Sequence, residues 1–95
     1  MTMDELQAHI ARPEDKPYKP VARVVCADGL TLSVQAGESL YCSPRENGAD
    51  YYDQVEVGFP SRPLPELGDD DNSDVYAYVP VERVLAVINA AGGQA

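Results

Sequence analysis

Tryptophan is absent from this chain and phenylalanine occurs once, so the core has to be built from aliphatic side chains helped by six tyrosines. Histidine also occurs once, as His9, which leaves one imidazole for any Cys–His or Ser–His–Asp site. The two cysteines, Cys26 and Cys42, have no second pair beside them, so no zinc-ligand spacing is present. No stretch approaches the roughly 18 consecutive apolar residues of a membrane span. The opening Met1-Thr2-Met3-Asp4-Glu5-Leu6 is acidic and polar, unlike a secretory signal, so a reducing compartment and free thiols are expected. Gly29, Gly37, Gly48, Gly58 and Gly68 stand alone, and none belongs to a phosphate-binding glycine loop.

Basic residues are scarce too: seven against sixteen acids, for a net charge of −9. They are also scattered, from Arg12, Lys16 and Lys19 to Arg23, Arg45, Arg62 and Arg83. Phosphates and anionic membranes are held by clustered Lys and Arg, so direct nucleic-acid binding and membrane attachment are not expected. A partner drawn by the field would have a basic surface.

With 95 residues the chain is expected to form a single domain, 1–95. Thr2 with Glu5 forms a capping box, and Met3, Leu6 and Ile10 recur at helical spacing, predicting a short helix over 3–11 that stops before Pro13. Residues 12–20 hold three prolines and no apolar pattern, which predicts an extended linker. In the unit 21–93, Asp28-Gly29 between two apolar runs favours a two-residue type I′ hairpin. That register pairs Ala27 with Leu30, Val25 with Leu32 and Arg23 with Val34. It places Val21, Val25, Leu30, Leu32 and Val34 on the core face. Ala22, Val24, Cys26, Thr31, Ser33 and Gln35 fall on the other face, although Cys26 by itself suits a small core residue.

Leu40-Tyr41-Cys42 suggests a short strand, and Gln54–Phe59 alternates with Val55, Val57 and Phe59 on one side. A long irregular stretch from Pro60 to Asp74 contains the acidic run, and Val75–Val79 is a strand. Pro80 suits a first helical position, Val81, Val84, Leu85 and Ile88 make an apolar stripe, and Gly92-Gly93 ends the helix. The expected fold class is α+β: a small antiparallel sheet with the C-terminal helix on one face and a short N-terminal helix. The expected core is Val21, Val25, Leu32, Val34, Val55, Val57, Val84, Leu85 and Ile88.

No residue pattern points to catalysis, and no cofactor or metal is expected. Asp69, Asp71 and Ser73 alternate like the start of an EF-hand loop, but its glycine position holds Asp74 and its closing glutamate position holds Pro80. The best candidates for partner contact are the acids Glu66, Asp69, Asp70, Asp71 and Asp74 with Tyr51 and Tyr52, since exposed tyrosines make good interface anchors.

Four short stretches also look familiar in order: Lys19-Pro20-Val21-Ala22, Tyr41-Cys42-Ser43-Pro44-Arg45, Val55-Glu56-Val57-Gly58-Phe59-Pro60-Ser61, and Tyr78-Val79-Pro80-Val81-Glu82 ahead of Gly92-Gly93. Together they resemble small uncharacterised acidic proteins encoded by tailed bacteriophages and prophages of Gram-negative bacteria. The resemblance carries no known activity and no functional residue. It implies an accessory protein, cytoplasmic in a bacterial host cell, that binds and inhibits a host protein, with an anti-defence, anti-CRISPR-like role as one concrete form. Two alternatives stand beside it: a sponge for a nucleotide-like signal, using Arg23, Arg45 or Tyr41, and a phage structural or assembly protein.

The hairpin's second face, with Val24 and Cys26, is too apolar for water. The Met3-Leu6-Ile10 stripe is the available cover, from its own chain or from a second one, since nine extended residues reach about 30 Å. A homodimer and a monomer are both open on that basis.

Overall fold

A computed structural model of the chain describes residues 1–11, 22–38, 40–46, 48–67 and 75–95. The expected linker at 12–20, the core candidate Val21 and the acids Asp69, Asp70, Asp71 and Asp74 lie outside the described residues. The elements run α1 (Met3–Ile10), β1 (Val24–Val25), β2 (Thr31–Gln35), β3 (Gln54–Gly58), a 3₁₀ turn (Pro65–Leu67), β4 (Val75–Pro80) and α2 (Val81–Ala90). The strands form one antiparallel sheet in the order β1-β2-β3-β4, and the fold is α+β as expected.

The hairpin register differs from the expected one. Val24 pairs with Leu32 and Val25 with Thr31, and the Cys26 N–H donates to the Leu30 carbonyl at 2.8 Å. The loop is therefore three residues long, Ala27-Asp28-Gly29. Gly29 N–H donates back to the Cys26 carbonyl, closing a turn in which Gly29 takes the left-handed position at φ 98°. A type I′ turn would need positive φ at two successive residues, whereas this arrangement asks it of the glycine alone. Asp28 is placed to accept from the Leu30 N–H at 2.9 Å. The one-residue slip turns β1 over. Val24 and Cys26 point into the core, while Val25 is 47% exposed. The expected register would have carried Arg23 to the core face with Val21 and Val25; the observed one leaves Arg23 exposed, avoiding an unpaired buried charge.

α1 carries the capping box: Glu5 N–H donates to Thr2 Oγ1, and Thr2 N–H donates to Glu5 Oε1. At eight residues it is too short to stand alone, and tertiary contacts hold it. Leu6 and Ile10 are fully buried in the common core. The Met1 ammonium donates to Asn89 Oδ1 at 2.8 Å, and Asn89 Nδ2 donates to the Met1 carbonyl at 3.0 Å, tying the start of α1 to the end of α2. Gln7 pairs like a strand with the backbone of Tyr52, donating to its carbonyl at 2.9 Å and accepting from its N–H at 3.0 Å. The neighbouring Asp53 carbonyl accepts from the Val81 N–H at the head of α2. The two helices thus lie antiparallel on the core face, and α1 does not cover the outer face of the hairpin.

Pro80 ends β4 and occupies the N-cap of α2, one residue earlier than expected. Val81, Val84 and Ile88 are fully buried and Val87 nearly so, whereas Leu85 is only half-buried at the edge of the stripe. α2 closes with Gly92 at φ 91°, where its N–H donates to the Asn89 carbonyl and the Gly93 N–H donates to the Ile88 carbonyl at 2.9 Å, a Schellman motif. A Cβ at Gly92 would also lie 2.9 Å from that of Ala27. The C-terminal residues then run along β1: Ala27 N–H donates to Gly93 O, and Ala95 N–H donates to Val25 O. That edge of the sheet is covered by the chain itself.

The core also takes in Leu30, Cys42, Tyr52, Leu64, Tyr76 and Val79. The strand expected at 40–42 is reduced to a single bridge between Ser43 and Gln54. Phe59, expected on the side of Val55 and Val57, is 60% exposed at φ 48°.

Candidate functional site

Among the described residues the helices cover one face of the sheet and leave the other open. The open face presents Arg23 just before β1 and Val25 within it, Thr31, Ser33 and Gln35 from β2, and Glu56 from β3, following from the alternation of buried residues and the pairings Val25–Thr31 and Gln35–Glu56.

A bulge in β4 shapes one end of this face. Val55 pairs with Val79 and Val57 with Tyr76, so Ala77 and Tyr78 together oppose the single residue Glu56. The extra residue lets Tyr76 and Val79 both point inward and pushes Tyr78 outward, 43% exposed, at φ 53°. An aromatic residue in the left-handed region is strained. The segment after β2 crosses here: Tyr41 N–H donates to Glu56 Oε2 at 3.0 Å, and the Tyr41 carbonyl accepts from the Tyr78 N–H at 3.0 Å. These bonds set the Tyr41 and Tyr78 rings 6.0 Å apart and tilted by 47°. The Arg45 guanidinium lies 5.7 Å from the centre of the Tyr41 ring, within cation–π range. Tyr41 is 52% exposed.

Phe59 follows β3 at the other end. Its carbonyl accepts from the Arg23 guanidinium, which also donates to Thr31 Oγ1 at 3.2 Å. Arg23 and Arg45 thus serve different ends of the sheet rather than one pocket.

The acids and tyrosines picked from the sequence are not gathered into one surface. Tyr52 is buried, its hydroxyl donating to the Glu46 carbonyl at 2.7 Å, so it is a core residue and not a surface anchor. Tyr51 is exposed beside it. Glu66 sits on the 3₁₀ turn, at the rim of a cleft of about 410 Å³ against α2 that it shares with Arg62 and Arg83. No hydrogen bond or ion pair joins Tyr51 to Glu66 among the described residues.

Of the titratable groups, Asp28 is held below its ordinary value, first by the hydrogen bond from Arg62, 3.0 Å away, and then by the Leu30 N–H. Burial pushes the Cys26 thiol up, and the Asp28 charge adds to this, which works against the thiolate a nucleophile needs. Cys42 Sγ is enclosed by the Gly37 backbone, accepting from its N–H at 3.3 Å and lying 3.2 Å from its carbonyl. His9 Nε2 lies 2.8 Å from the Ala22 carbonyl, tying α1 to the approach to β1. Among the described residues no group of three or more His, Cys, Asp or Glu side chains is arranged to hold a metal ion, and no helix is long and apolar enough to cross a membrane.

Sequence reasoning named Tyr41 only as a contact for a small ligand and missed Tyr78, because the pairing of the two rings depends on the bulge. Regular alternation would place Tyr76 and Tyr78 on one side of β4, and nothing in Val75–Val79 announces an extra residue. Comparison with protein-family models, curated proteins and solved structures returns no match.

Proposed function

We propose that the chain works by binding another protein, one with a basic surface, through the end of the open sheet face that carries Tyr41 and Tyr78. The observation that carries the reading is Tyr78, an exposed aromatic held in a strained conformation by a bulge, with the Tyr41 ring tilted against it and Arg45 over the Tyr41 ring. Strain at an exposed site contributes nothing to folding and is commonly kept for contact with a ligand. Tyrosine and arginine are among the residue types that dominate binding energy at interfaces. The net charge of −9 selects the partner: a basic protein is attracted, whereas a second copy of this chain is repelled. Inhibition of a host factor, including a defence complex, is the form of this role that the phage resemblance favours.

The test pairs wild type with Tyr41→Ser/Tyr78→Gly as tagged bait in a Gram-negative bacterial lysate, followed by titration of the captured protein. Wild type should bind a basic protein, and the double variant should bind it about thirtyfold more weakly or worse while melting no lower than a few degrees below wild type. Association should slow as salt is raised. A partner that binds both forms equally would overturn the assignment of this face.

A further inference from the structure

We propose that the cleft between the 3₁₀ turn and α2 binds a small zwitterion with an apolar body, the size of a di- or tripeptide. The site lies on the helix side of the molecule and does not depend on the protein-binding reading above. Its volume, about 410 Å³, falls in the range of small-molecule sites rather than of surfaces that dock whole domains. Leu64 and Val87 line it with apolar surface, and Ala86 and Ala90, one turn apart on α2, leave room where longer side chains would fill it.

The charges at the rim narrow the ligand class. Arg62 is held by Asp28 at 3.0 Å. Arg83 and Glu66 line the same cleft, yet among the described residues neither makes an ion pair or hydrogen bond. Opposite charges that share a cleft without pairing are set to receive the two ends of one molecule. A carboxylate would be taken by the planar guanidinium of Arg83, an ammonium by Glu66, and the apolar side chains between them by Leu64 and Val87. A free anion would approach against the field of a −9 chain, whereas a zwitterion carries no net charge.

The experiment is an amide-resolved NMR titration of the full chain with leucyl-leucine, run beside N-acetyl-leucyl-leucine and leucyl-leucine amide. Leucyl-leucine should give saturable shifts confined to the 3₁₀ turn and the Arg83–Ala91 face, with a dissociation constant on the order of 1 mM or tighter. Ala86→Phe, an exposed position on α2, should abolish them by filling the cleft. Amidation and Arg83→Gln should each weaken binding about tenfold without adding, because both remove the same contact; acetylation and Glu66→Gln should behave likewise. The proposal is overturned if no saturable shift appears, if Ala86→Phe leaves binding intact, or if the acetylated or amidated peptide binds as tightly as the free one.

Discussion

Two exposed aromatic residues, Phe59 at φ 48° and Tyr78 at φ 53°, adopt backbone conformations that glycine would adopt without strain. The left-handed region costs a residue with a Cβ about 1–2 kcal/mol. At Phe59 little packing is lost on truncation, because the side chain is 60% exposed. Phe59→Gly is therefore expected to melt at or above the wild-type temperature, and Phe59→Val, which adds β-branching at the same φ, below it. Thermal unfolding by circular dichroism decides between them, and a Gly variant that melts lower would mean the side chain is held by contacts rather than tolerated. Asp28 ties stability to pH. Because its carboxyl is held below the ordinary aspartate value in the folded state, the stabilisation it brings is present above that ordinary value and is lost as pH falls through the lower, folded one. Arg62→Gln removes the larger cause, so its stability should fall less steeply than wild type below the ordinary aspartate range while the two curves run parallel near neutrality. Identical acid limbs in denaturant titrations at stepped pH would show that the pair contributes nothing, as many exposed pairs do.

Each element is short, and each is held by something outside itself. The eight residues of α1 depend on Leu6, Ile10 and the Gln7–Tyr52 pairing, and β1 depends on the C-terminal residues along its edge. In α2 the buried stripe is rotated from the four-residue pattern Val81, Val84, Leu85 and Ile88 that the spacing suggests. Ile88 is fully buried, whereas Leu85 sits at the margin and Val87 takes its place on the other flank. Ile88→Ala should then cost about 2–5 kcal/mol, the range for an enclosed aliphatic side chain, and Leu85→Ala clearly less. Urea unfolding of the two variants measures the difference, and equal losses would place Leu85 inside the core after all. The caps behave as the residues require: Thr2 and Glu5 start α1, and Gly92 ends α2 in the one conformation that glycine alone adopts freely there.

For the molecule as a whole, the helices and the sheet divide the surface into two sides with different chemistry. One side carries tyrosines and Arg45 on an open sheet face; the other carries a cleft between α2 and the 3₁₀ turn, rimmed by charges of both signs. The charge of −9 acts over both and sets which molecules approach, but it does not choose the place of contact. Choice of place falls to the aromatic groups and to the shape of the cleft. The two proposed sites share no residue, so a variant that fills the cleft leaves the sheet face intact, and the reverse also holds.

What could be determined from the residues alone was whatever depends on neighbours in the chain. The capping box, most of the α2 stripe, its glycine stop, strands close to the expected Gln54–Phe59 and Val75–Val79, and the α+β class all rest on spacing within a dozen residues. The tertiary structure decided the rest. Asp28-Gly29 permits a two- or a three-residue loop, and the cost of burying Arg23 favours the register that turns Val24 inward and Val25 out. Tyr51 and Tyr52 are chemically alike and adjacent, yet Gln7 and the Glu46 carbonyl draw one of them into the core. The bulge that exposes Tyr78 lets Tyr76 and Val79 both face the core, a demand of packing that no local pattern records. Likewise Glu66 and Arg83 lie 17 positions apart in the chain and come to one cleft only because the 3₁₀ turn packs on α2.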